Sequence, residues 1–164
     1  AGDTLDLRIQ RKALDGVDTK NLLTRIAQTL SHLHKAKVLR RELSPKFIIL
    51  RADDFPVLTD FELGKLFAGS RTVSNEAWQE DPYRAPEVET GEIQPDDYRA
   101  DLYSWGRIAV HLLAGWLPTA GKDRLAMQEV KVLKEVGQLI LACTQIGPSR
   151  RPDQMEAVLK VLKA

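Results

Sequence analysis

Sulfur is nearly absent: the 164 residues hold one cysteine, Cys143. A single thiol excludes an internal disulfide and any zinc site built on paired cysteines. It lies in the run "LILAC", so it reads as a small buried hydrophobe and not as a reactive thiol. That run, the longest apolar one, is far too short to span a bilayer. Charge of one sign is lacking as well. Lys and Arg number 24 against 23 Asp and Glu, a net charge of +1. This excludes the basic field that nucleic acid or an acidic membrane surface requires. No repeat or low-complexity tract is present, and no signal peptide opens the sequence, so the expected compartment is the cytoplasm.

What is present suits one folded domain. Hydrophobic residues make up 43% and charged residues 29%. A chain of this length buries roughly two-thirds of its unfolded surface. "TKNLLTRIAQTLSHLHKAK" spaces Leu22, Leu23, Ile26, Leu30 and Leu33 for a helix, with Asp18 or Thr19 as its cap. His34, near its end, suits the helix dipole and is not read as catalytic. "KFIILRADDFPVLTDF" predicts a hairpin: Ile48–Leu50, a polar turn at Ala52–Asp54, then Val57 and Leu58. Residues 62–82 lack periodicity and predict a long loop. Leu102, Trp105, Ile108, Ala109, Leu112 and Leu113 predict a deeply buried helix over about 98–114, ended by Gly115 and Pro118. A third helical stretch is expected over about 123–145, broken near Gly137. A last one is expected over about 153–163, with Met155, Val158, Leu159 and Leu162 inward. The predicted fold is mostly α with one small β-hairpin.

The order of the motifs is more specific than the elements. "VLRRELSPKFIIL", then "TDFELGK", "YRAPEV", "DYRADLYSWGRIAVHLLAGWLP" and "ACTQIGPSRRP" together resemble the C-terminal lobe of a protein kinase of the Ser/Thr type, over nearly the whole chain. The resemblance implies a post-hinge segment at 1–17, a catalytic-loop-like and DFG-like region at 39–61, an activation-segment-like loop at 62–87 and a helical subdomain at 98–164. It implies no room for an N-terminal lobe within these residues.

The family's catalytic loop reads H-R-D-L-x-x-x-N. Against it stand Arg40, Arg41, Glu42, Leu43, Ser44, Pro45, Lys46 and Phe47. The resemblance therefore puts Glu42 where the family has its catalytic Asp. It puts Phe47 where the family has a magnesium-binding Asn, and Ser44 where Ser/Thr kinases have a lysine. Asp60, Phe61 and Glu62 stand for D-F-G, and Asp60 is the one retained metal position. The alternative for Asp60 is a turn cap. Ala85, Pro86 and Glu87 keep A-P-E intact. The resemblance pairs Glu87 with Arg151 and assigns Asp101 to holding the catalytic-loop backbone. These three read as structural.

The expected function follows from those substitutions. Phosphoryl transfer needs a Gly-rich cover, a lysine held by a glutamate, and bound magnesium. The first reading is a catalytically inactive, pseudokinase-like regulatory or protein-interaction module with no cofactor. The alternative is a fragment of a larger Ser/Thr kinase that uses ATP and magnesium. Arg40 and Arg41 can draw a phosphorylated Ser70, Thr72 or Ser74, although a solvated or locally paired role is the simpler reading. Apolar surface near Leu5, Leu7, Phe47 and Phe61 is expected to be exposed. There it would face a protein partner or a second copy of the chain. Phe47 is expected to pack against Leu43, Phe61 or the N-terminal segment and so close the former site. The rival is an exposed Phe47 that anchors a partner.

Overall fold

The first ten residues already form two elements. Strand β1 (Asp3–Thr4) runs into helix α1 (Leu5–Gln10). The Thr4 hydroxyl accepts from the Leu7 amide at 3.3 Å, satisfying one of the donors a first turn leaves open. The structure, a computed structural model, describes residues 2–59, 81–92, 94 and 97–164. The readings placed on Asp60, Phe61, Glu62, Ser70, Thr72 and Ser74 lie outside the described residues.

Helix α2 (Thr19–Lys35) has Asp18 as its cap, which accepts from Asn21 N at 2.9 Å. Leu22, Leu23, Ile26 and Leu30 of its stripe are buried as the spacing predicts, and Leu33 is half-buried. A 3-10 turn (Pro45–Phe47) leads into strand β2 (Ile48–Leu50), which pairs antiparallel with β3 (Pro56–Leu58). Ile48 and Leu50 face the core, with buried Leu58 opposite Ile48 and buried Pro56 opposite Leu50. The sheet has three strands, not the two of a hairpin. Strand β1 adds to the free edge of β2, with Thr4 opposite Ile49.

That addition corrects an expectation. Leu5 is fully buried, because β1 and α1 fold back over β2 and the 45–47 turn. The N-terminal segment covers part of the face read as exposed. Leu7 stays exposed. Phe47 is half-buried in the turn that α1 packs against, an outcome between the plugged and the exposed reading.

The helices follow. Short α3 (Pro86–Thr90) was not anticipated; Pro86 opens it with a preset φ. Helix α4 (Arg99–Ala114) is buried at every residue from Ala100 to Val110. It packs against α2, α5 (Asp123–Met127) and α6 (Lys134–Cys143). Gly106 lets α6 come close: a Cβ there would meet the Cys143 Cβ at 2.9 Å. Gly115 ends α4 at φ 77°, donating back to His111 O, a left-handed cap that other residues strain to adopt. A second 3-10 turn (Pro148–Arg150) precedes α7 (Met155–Lys163). Helix α7 buries Met155, Val158 and Leu162 and packs on α2 and α6.

The helical stretch expected over 123–145 is broken, but not near Gly137. The break covers residues 128–133 and leaves Gly137 inside α6. Val130 and Val132 pack on the core from the non-helical connection, and β-branched residues favour extended backbone. No helix among the described residues is long and apolar enough to cross a membrane.

Candidate functional site

Asp101 lies in the first turn of α4 and is fully buried. Its Oδ1 accepts from the Arg41 amide at 2.7 Å, and its Oδ2 from the Arg40 amide at 3.0 Å. His34 Nε2, 2.8 Å from Oδ2, donates as well, since an ionised carboxylate only accepts. His34 is thus a buried partner of Asp101 and does not merely suit the end of α2. Its ring lies 4.5 Å from that of Tyr98. Arg41 has φ 57°, a left-handed conformation that costs a non-glycine residue about 1–3 kcal/mol and persists only where its surroundings fix it. Two amides bonded to one buried carboxylate provide that fixation. The Arg40 side chain reaches forward to Thr59 O at 2.7 Å, tying the loop to the end of β3.

Glu42 turns toward the segment before α3. Its Oε1 lies 3.8 Å from Nη2 of Arg84, with the glutamate side chain 43% exposed and the arginine 13%. Leu43, Ser44 and Pro45 behind it are buried. Arg41 itself is exposed. The structure therefore gathers Arg40, Arg41 and Glu42 on one loop beside Asp101 and Arg84. Phe47 follows in the turn that meets α1, and Asp60 falls outside the described residues.

Glu87 and Arg151 meet away from this loop. Nη1 donates to Oε1 at 2.6 Å and Nη2 to Oε2 at 2.9 Å. The remaining guanidinium donors go to the carbonyls of Gln145, Arg99 and Ile146. All five donors are used, the number that arginine has. The guanidinium also lies 4.7 Å from the Tyr103 ring centroid. Arg151 so joins α3, the start of α4 and the 145–150 connection.

A second buried pair was not read from the sequence. Arg107, in the middle of α4, pairs with Asp123 at the start of α5, and both are almost fully buried. Burial raises the Asp123 carboxyl pKa against the lowering pull of Arg107. An arginine inside the apolar stretch "WGRIAVHLL" was the available signal. One helical turn on, His111 Nδ1 lies 2.7 Å from the Tyr83 hydroxyl. Burial, aided by Arg107, pushes the His111 pKa below its usual 6.5, opposed by Asp6.

A depressed histidine pKa means that the fold favours the neutral ring. Its contribution to stability is complete above the unfolded value, about 6.5, and is lost as pH falls through the lower folded value. The urea midpoint of the parent should therefore approach that of His111→Gln as pH falls from 7.5 to 5. A gap that stays constant or widens on acidification contradicts this.

Among the described residues, no group of three or more His, Cys, Asp or Glu is arranged to hold a metal ion. Comparison with known proteins adds the following. Residues 1–163 match the protein kinase domain family. The chain is 28% identical to kinase suppressor of Ras A of Caenorhabditis elegans, over 94% of this chain and 24% of that protein. It is 27% identical to serine/threonine-protein kinase cds1 of Schizosaccharomyces pombe, over 96% of this chain and 38% of that protein. Ribosomal protein S6 kinase alpha-1 of Homo sapiens is 31% identical over 88% of this chain and 18% of its own length. The chain spans well under half the length of these relatives.

Proposed function

The chain belongs to the protein kinase family, and on that premise we propose that it is a kinase-like C-terminal lobe acting as a cytoplasmic protein-interaction or regulatory module, without phosphotransferase activity of its own. The loop at 40–47 carries this reading. By family resemblance Glu42 replaces the catalytic Asp and Phe47 the magnesium-binding Asn. Glu42 is longer by one methylene, and a shift of about 1 Å in a reacting group can cost about 100-fold in rate. It also lies in ion-pair range of Arg84. Phe47 has no ligand atom for a cation, so the described residues do not fit a magnesium site, and no step through the metal is derived. No G-x-G-x-x-G occurs in the 164 residues.

The proposed partner surface is the side where α1, the 40–48 loop and the sheet meet. Leu7 and Val57 are exposed there at 37% and 40%. A protein or a second copy of this chain would cover it. No nucleic acid or membrane enters this reading, given the balanced charge.

A second reading, transfer of phosphate from ATP with magnesium by a longer Ser/Thr kinase, is favoured by the share of the relatives covered, 24% and 38% in the first two. The relatives' names, a kinase suppressor and two kinases, do not choose between the readings; the residues at 42 and 47 support the first. A labelled-phosphate assay on the longest protein containing this chain separates the readings. Incorporation at background is expected. Incorporation that disappears in Glu42→Ala would establish the second reading.

A further inference from the structure

Helix α4 carries three polar side chains on one stripe, Ser104, Arg107 and His111, spaced i, i+3 and i+7. All three reach the same short segment. Ser104 Oγ donates to Tyr83 O at 2.8 Å. Arg107 Nε donates to Pro82 O at 3.0 Å. His111 Nδ1 meets the Tyr83 hydroxyl. The rest of the guanidinium is committed to Asp123 and, at 2.6 Å, to Pro118 O. A helix this deeply buried has no solvation reason to hold an arginine. A buried guanidinium is tolerated only when paired and hydrogen-bonded, so its placement is specific to the groups it binds. The residue after Tyr83 is Arg84, which faces Glu42.

We propose that Ser104, Arg107 and His111 form a clamp that fixes residues 82–84, and that Arg107 is a positioning residue that keeps Arg84 beside Glu42. The Arg84–Glu42 contact, next to buried Tyr83, is then set before any ligand arrives. A surface already ordered loses less freedom when a partner binds. This assignment does not depend on whether the chain binds nucleotide.

Amide exchange tests the clamp where it acts. Tyr83 N bonds to Asp81 Oδ1 at 2.9 Å and Arg84 N to Asp81 O at 3.0 Å, so both amides report local opening. In Arg107→Met their exchange should rise by about tenfold or more, while the α2 amides of Ile26 and Leu30 stay at the rate set by global stability. The ring nitrogens of His111 give a second signature. With Tyr83 donating to Nδ1, the parent should show the Nε2–H tautomer, and Arg107→Met a mixture. Ser104→Ala, a milder change, should speed the same two amides by about threefold, and it decides the matter if Arg107→Met does not fold. Unchanged Tyr83 and Arg84 amides, or a rise shared equally with α2, overturns the assignment.

Discussion

Replacing Arg151 with alanine should lower the unfolding free energy by about 3–5 kcal/mol, the loss typical of breaking a buried ion pair from one side. The Arg151 side chain is fully buried and that of Glu87 only 10% exposed. Removing the guanidinium leaves the Glu87 carboxylate and three backbone carbonyls without their donor. It also removes the cation stacked near Tyr103. Because these acceptors belong to α3, α4 and the 145–150 connection, the loss acts on the whole helical assembly. Glu42→Ala is the natural comparison. Its partly solvated pair with Arg84 contributes up to about 1 kcal/mol. Urea unfolding of the two variants beside the parent measures both. Equal midpoints for Arg151→Ala and the parent would mean that the pair does not hold the fold.

Asp101→Ala should have an effect of similar size on stability, about 3–5 kcal/mol, with a different local signature. Two backbone amides and an imidazole lose their acceptor, and each unsatisfied buried group costs about 1–3 kcal/mol. Arg41 also loses the bond that holds it at φ 57°. The 40–42 loop should relax before the rest of the chain does. Exchange of the Arg40 and Arg41 amides should rise beyond what global stability dictates. Retained protection of both amides would show that the loop conformation is fixed by other contacts.

Much of the fold is legible in the residues, for local reasons. Helices α2 and α4 fall within two residues of the expected spans, because a 3.6-residue apolar period coincides with a cap at Asp18 and a stop at Gly115. The β2–β3 pair is legible through alternation and a polar turn. Strand β1 is not, since two residues become a strand only because β2 offers an edge. The break at 128–133 is hidden too: it holds neither glycine nor proline, and Gly137 attracted the expectation instead. At the candidate site, the positions were found by motif order, which orders the sequence but does not give contacts. His34 and Asp101 are 67 residues apart, and helical periodicity carries no record of that bond. Arg107 left a trace, a charge in an apolar stretch, without naming its partners.

The Arg84–Glu42 contact and the apolar Phe47 turn the kinase-family loop away from phosphoryl transfer in the proposed reading. Calorimetric titration with Mg-ATP at millimolar concentration tests this most directly. The expected result is no saturable heat, with binding no stronger than about 4 kcal/mol. A micromolar Kd, about 8 kcal/mol, would contradict it.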